Sequence, residues 1–292
     1  MSRVRVIAIM ALPHSGSHLL SQLLGAHSSC LSIGELHNYD KLTNRERQGS
    51  GNVISTYAED PVFENLGDLP VRDWHQTIIT RAQRADPNLT TLVDNSKRVD
   101  WCASLLANDG LDVQPVLLLR DPRALLRFWR LRYDTPKKVR RQRTRHSLIA
   151  PSQALTLMTC SPLELYLRKW LIRNQQATRL LDQSGRSANF LTYHDLASQP
   201  ERTLRRLMPL LGLDYEPSQL RYGEAEQKGT RKTEYQSASE ASQISLDARW
   251  QTDLSAADAE AATKFPPLNA YLENLGLAFA SAGLTRRNAE VR

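Results

Sequence analysis

The side chains best equipped for chemistry in this 292-residue chain fall in four short stretches. The first is Leu12-Pro13-His14-Ser15-Gly16-Ser17-His18-Leu19-Leu20, where an apolar run over 6–11 gives way to Leu19, Leu20, Leu23 and Leu24 at helical spacing. A buried strand, a Pro/Gly/Ser turn and a helix start together predict an anion site. The first N–H groups of a helix have no internal partners and point into such a turn. An ordinary connection with Ser15 as helix cap is the alternative that this segment leaves open. The second stretch, Gly34-Glu35-Leu36-His37, follows a short strand predicted over 29–33 and places a carboxylate where open α/β sheets keep their chemistry. His37 is a rival base that would face the opposite way in an extended segment. The third, Asp94-Asn95-Ser96-Lys97-Arg98, follows a strand over 91–93. The fourth is Arg120-Asp121-Pro122-Arg123, after the strongest buried-strand run, 113–119. Asp121 suits a helix N-cap and Pro122 its first turn, so Arg120 is placed at the strand's C-terminal edge.

Helices are predicted over 71–85, around 103–106, and over 122–131, 162–181, 200–211 (closed by Gly212), 255–264 and 267–275, with a further strand over 190–193. Strands alternating with helices imply an α/β fold: a P-loop-like, central parallel sheet flanked by helices on both faces. The expected organisation is a single domain over 1–292. Within it, 38–70 reads as an irregular, lid-like insertion, 133–160 as a basic loop, 227–232 as a polar basic loop and 278–292 as a tail.

Composition narrows the function classes. Hydrophobic residues at 41% and charged residues at 24% describe a globular protein, with no apolar stretch long enough to span a membrane. The run at 6–11 leads into the turn rather than into a cleavage site, so it reads as the first strand and not as a signal peptide. Cys30, Cys102 and Cys160 are odd in number and dispersed without metal-ligand spacing, which predicts no metal site and a reducing cytoplasmic location. Of the net charge of +7, much lies between Arg127 and Arg145, where nine Lys/Arg face only Asp134. Without a recognisable nucleic-acid module this run reads as a solvated surface or one that draws in an anionic ligand. No G-x-x-x-x-G-K-[ST] motif is present, which argues against a kinase or nucleotide-hydrolysing P-loop enzyme.

The turn, the strand-end Glu35, the D-x-S-K segment and R-D-P-R, in this order, resemble the sulfotransferases that use 3′-phosphoadenosine-5′-phosphosulfate (PAPS), bacterial sulfotransferase-domain proteins and the tyrosylprotein branch more than the animal cytosolic branch. The resemblance implies transfer of a sulfuryl group to a hydroxyl or amine acceptor, with release of 3′-phosphoadenosine-5′-phosphate (PAP) and no metal. It implies that Ser15, Gly16, Ser17, His18 and Leu19 cradle the 5′-phosphosulfate, that Arg120 and Arg132 hold the 3′-phosphate with Arg123 as a further candidate, and that Tyr193 contacts the nucleotide. Lys228 and Arg231 would lie in a loop closing over the donor. Glu35 would be the base, its pKa raised by partial burial. Relatives carry Lys or Arg at the place of His14 and Ser at that of Phe128. Lys97 matches a leaving-group lysine and would supply the cation that His14 carries only when protonated. The two departures leave open a relative that binds PAP or PAPS without turning over. The acceptor, expected to be a glycan, lipid, peptide or small molecule, has no motif of its own.

Overall fold

A computed structural model describes residues 3–47, 53–223, 228, 230–232 and 244–287. In chain order its elements are β1 (Val4–Ala11), α1 (Ser17–Gly25), β2 (Cys30–Gly34), α2 (Tyr39–Arg47), β3 (Val53–Ser55), α3 (Trp74–Ala82), β4 (Thr91–Lys97), α4 (Val99–Leu106), β5 (Leu111–Leu119), α5 (Pro122–Tyr133), α6 (Pro136–Ile149), α7 (Ala154–Thr159), α8 (Pro162–Gln183), β6 (Phe190–Thr192), α9 (Tyr193–Ser198), α10 (Pro200–Leu210), β7 (Thr230–Lys232), α11 (Trp250–Asp253), α12 (Ala256–Thr263), α13 (Pro266–Asn274), β8 (Leu277–Phe279) and β9 (Leu284–Arg286).

Five strands form one parallel sheet in the order β2-β4-β1-β5-β6. β1 is central and almost wholly apolar because both of its faces are covered. Val6 and Met10 face a core shared with Ile78 of α3, Leu105 of α4, Leu125 of α5 and Trp170 of α8. Ile7 and Ile9 face the other core, with Leu20 and Leu23 of α1, Leu196 of α9 and Leu204 of α10. After β1 the chain goes to the edge strand β2, returns to β4 between β2 and β1, then crosses to β5 on the opposite side, so the strand order reverses at β1. The crevice outside such a reversal is where α/β sheets bind ligands, and here the ends of β1, β4 and β5 deliver His14–Gly16, Lys97 and Arg120 to it.

Four readings of organisation are corrected. The stretch 133–160 is not a loop. It contains α6 and α7, and the buried residues of α6, Val139, Gln142 and His146, recur at helical spacing but are mostly polar, so no apolar period reveals the helix. The stretch 38–70, in its described residues, is not irregular but forms α2, β3 and short helical turns: Tyr57 donates to the Ile33 carbonyl at 2.7 Å, Tyr39 donates to the Phe63 carbonyl at 3.0 Å, and Phe63 packs edge-on to Tyr57 in the core. β3 within it pairs antiparallel with β7, which also replaces part of the basic loop expected over 227–232. The tail over 278–292 holds most of the β8–β9 hairpin. Among the described residues no helix is long and apolar enough to cross a membrane.

Candidate active site

The turn after β1 is tight. His14 and Gly16 both adopt left-handed backbone conformations, φ 69° and 88°. Glycine is required at position 16 twice over, by that φ and by the Tyr193 ring, which would lie 2.3 Å from an added Cβ. Gly16 is the N-cap of α1 and no side chain caps the helix, which excludes Ser15 as the cap. The amides of Ser17, His18 and Leu19 therefore have no intrahelical acceptor. Ser15 Oγ is buried without a hydrogen-bond partner among the described residues, and so are both polar atoms of the Asn95 side chain on β4. Unpaired buried polar atoms are rare, and Ser15 Oγ lies in the turn at the C-terminal end of β1, beside an uncapped helix end.

Glu35 lies just beyond β2 and binds three neighbours. His18 Nε2 is 3.2 Å from one carboxylate oxygen, Lys97 Nζ donates to the same oxygen, and Asn38 Nδ2 donates to the other at 3.1 Å. Burial pushes this carboxyl up, but hydrogen bonds from His18 and Lys97 more than reverse it and hold it well below the usual carboxylate range. The expectation of a raised pKa is overturned: Glu35 is an ionised carboxylate held by His18 and Lys97. Lys97 is left-handed at φ 66°, so two of the three non-glycine residues with positive φ among the described residues, His14 and Lys97, flank this point. Such conformations are costly and concentrate at functional sites. His37 is not on an extended strand but in a single helical turn, Leu36–Asn38, and burial lowers its pKa.

Arg120 follows β5, its carbonyl held by Trp170 Nε1 at 2.9 Å. Its guanidinium lies 4.2 Å from the Tyr193 ring centroid and donates to the His14 carbonyl at 2.9 Å, which ties the end of β5 to the turn. Nη2 also donates to the Asp247 carboxylate at 2.9 Å and to the Asp247 carbonyl at 3.1 Å. Tyr193 Oη accepts from the Asp247 backbone N–H at 3.1 Å. Hydrogen bonds from Arg249, then from Arg120, hold the Asp247 carboxyl far below its usual range. Sequence reasoning missed Asp247, which has no local signal around it.

Arg132 stands apart from Arg120. It is exposed on α5, with its guanidinium 5.9 Å from the Phe128 ring centroid. Phe128 in turn packs on His14 at 3.7 Å between ring centroids. Arg123 is unsuited to phosphate: it is buried, pairs with its own N-cap residue Asp121 at 2.6 Å, donates to the Ala280 carbonyl and stacks on Trp250. Lys228 pairs with Asp60 at 2.7 Å, and the side chain of Arg231 lies outside the described residues. Among the described residues no group of His, Cys, Asp and Glu is arranged to hold a metal ion.

Among solved structures, the chain is similar to a sulfotransferase domain from the curacin biosynthetic pathway, at 19% identity over 78% of this chain and 80% of that one, with a TM-score of 0.46. It is also similar to the sulfotransferase STF9 from Mycobacterium avium, at 13% identity over 94% of this chain and 77% of that one, with a TM-score of 0.48. No curated protein matches the chain. The sequence profile of the Sulfotransferase family matches residues 7–217, well over half of the chain, and the protein belongs to that family.

Proposed function

We propose that the protein moves a sulfuryl group from PAPS to a hydroxyl or amine acceptor. The observation that carries this reading is the junction of Gly16, Tyr193 and Arg120. An uncapped helix N-terminus and the unpartnered Ser15 Oγ suit the 5′-phosphosulfate. Arg120, tied to the same turn through the His14 carbonyl, suits the 3′-phosphate. Tyr193 lies between the two, over Gly16 and under Arg120. Bound there, PAPS supplies a sulfuryl group on a phosphate leaving group. The chain supplies positioning and charge, as in phosphoryl transfer. Glu35 receives the acceptor's proton on a carboxylate oxygen. Because this carboxylate is stabilised by His18 and Lys97, it takes the proton only as the acceptor oxygen or nitrogen grows acidic through bonding to sulfur. Lys97, bonded to Glu35, stands beside the phosphate cradle as the cation for charge developing on the leaving oxygen, and His14 adds a second donor. Arg120, tied to the turn, is the principal 3′-phosphate contact, and Arg132, exposed on α5 beside Phe128, is a second.

A second reading, donor binding without turnover, is favoured by one observation: Asp247 occupies the guanidinium that the 3′-phosphate needs. Calorimetric titration with PAP, and with AMP as control, tests the donor site. PAP is expected to bind about a hundredfold more tightly than AMP, the worth of one charge-assisted phosphate contact, and Arg120→Ala is expected to abolish the difference. Folded protein that binds PAP no better than AMP refutes PAPS as donor. PAP binding without sulfuryl transfer to any class of acceptor supports the second reading.

A further inference from the structure

At its C-terminal end β4 bulges. Ala8 pairs with Asp94 and Met10 with Lys97, so β4 takes three steps where β1 takes two. A bulge re-aims the side chains beside it. Here it leads into Lys97, which is left-handed at φ 66° and bonded to Glu35. Asp94 braces the bulge with its own side chain. Its Oδ1 accepts from the Ser96 backbone N–H at 2.9 Å and from Ser96 Oγ. Ser96 Oγ in turn accepts from the His37 backbone N–H at 3.2 Å. One hydroxyl therefore joins the residue before Lys97 to the turn that follows Glu35.

Asp94 is anchored by the helices that cover this face of the sheet. Its Oδ2 lies 2.9 Å from His75 Nε2 on α3 and accepts from Trp101 Nε1 on α4 at 2.8 Å. Asp94 is 1% exposed and His75 is wholly buried. Leu92, two residues earlier on the same face of β4, packs in the apolar core with Ile78 of α3. Packing alone would put another apolar residue at 94, because a buried carboxylate must first recover its desolvation cost through its hydrogen bonds. What the carboxylate adds is direction: four hydrogen bonds hold the end of β4 in one conformation, and they offset the strain of a left-handed Lys97. Resting on the proposed sulfuryl transfer, we propose that Asp94, held by His75 and Trp101, is a positioning residue for the reaction. Through Ser96 it fixes the Lys97 ammonium and the Glu35 carboxylate relative to each other, and it acts on the reacting atoms only through that pair.

Ser96→Ala removes the shared hydroxyl and leaves Asp94, Lys97 and Glu35 in place. The first readout is NMR of lysine-labelled protein, following the Lys97 side-chain methylene next to Nζ, assigned through Lys97→Arg. In folded Ser96→Ala this resonance is expected to move toward the position it takes in Glu35→Gln, where the ion pair is absent. The second readout is turnover. It is expected to fall about a hundredfold, as for a misplacement on the order of 1 Å, while the Kd for PAP stays within about threefold of the parent value. In a Lys97→Ala background the same substitution is expected to cost less than about threefold, because the side chain it positions is gone. A Lys97 resonance unchanged in folded Ser96→Ala, or an equal loss of turnover with and without Lys97, overturns the proposal. Trp101→Phe, which withdraws one donor from Asp94 and keeps an aromatic ring, is expected to move the same resonance in the same direction and replaces Ser96→Ala if that variant does not fold. Titrating PAP into the parent judges the donor reading separately: failure to bind removes the donor, while the Lys97 resonance still decides the role of Asp94.

Discussion

Asp247→Asn is expected to tighten PAP binding. In the free protein the Arg120 guanidinium is satisfied by the Asp247 carboxylate at 2.9 Å and by the carbonyl of the same residue at 3.1 Å, with 11% of the Arg120 side chain exposed. A 3′-phosphate can reach Nη2 only by displacing that carboxylate, so part of the phosphate's interaction is cancelled by the one it replaces. Hydrogen bonds to charged groups are worth about 1.5–3 kcal/mol net. Replacing the carboxylate with an amide removes most of the competing bond and keeps the backbone N–H that donates to Tyr193. The gain converts to a roughly ten- to hundredfold lower Kd for PAP. AMP lacks the displacing group, so its affinity is expected to stay within about threefold of the parent value. Calorimetry on parent and variant with both ligands checks this. An unchanged PAP affinity, or an equal gain for AMP, refutes the competition. A loss of PAP affinity would mean that Asp247 organises Arg120 for the phosphate instead of competing with it.

Glu35→Gln is expected to lower turnover by about 10²–10⁴ with PAP binding retained, measured in a sulfuryl-transfer assay and by calorimetry. The same variant reports on stability. The folded-state pKa of Glu35 is depressed, so its contribution is complete above the unfolded value near 4.3 and is lost as pH falls below that value. The gap between thermal melts of parent and variant is expected to begin narrowing as pH falls below about 4.3 and to keep narrowing well below it, and a constant gap across the acid range contradicts the assignment. Gly16→Ala is expected to destabilise by about 1–3 kcal/mol and to abolish PAP binding, because the new methyl needs the space of the Tyr193 ring. Binding that survives in a folded Gly16→Ala protein argues against a cradle built on this turn. His14→Lys and Phe128→Ser are expected to be non-additive in PAP affinity by about 1 kcal/mol or more, since the two side chains touch at 3.7 Å. Additive effects would mean that the contact does not bear on the donor site.

The parts of this protein that were legible in its sequence are those written in local chemistry. An apolar run, a Pro/Gly turn and a recurring Leu face locate β1, the turn and α1. Pro122 after Asp121 locates the start of α5 and hence Arg120, and the Thr192–Tyr193 step places Tyr193 at a strand end. Each cue depends on backbone geometry that neighbouring residues impose on one another. What the sequence concealed depends on residues far apart along it. Asp247 meets Arg120 across more than a hundred residues, and no pattern around either announces the other. The charge state of Glu35 could not be inferred from burial alone, because His18 from α1 and Lys97 from β4 decide it and the fold alone brings both to β2. α6 was hidden for a different reason: its inward face carries Gln142 and His146, so a helix was present without the apolar period that betrays one. His14 and Phe128 show how the two kinds of information combine. Taken singly along the chain, each is a departure from the donor contacts that the family resemblance implies. Packed together, the phenyl ring covers the imidazole of a strained, left-handed residue and leaves that residue's carbonyl to Arg120. Position 14 thereby still positions the guanidinium through its backbone, whatever charge its side chain carries. The donor site proposed above, built on backbone amides, one backbone carbonyl and one arginine, tolerates both departures better than a site that relied on the side chain at 14.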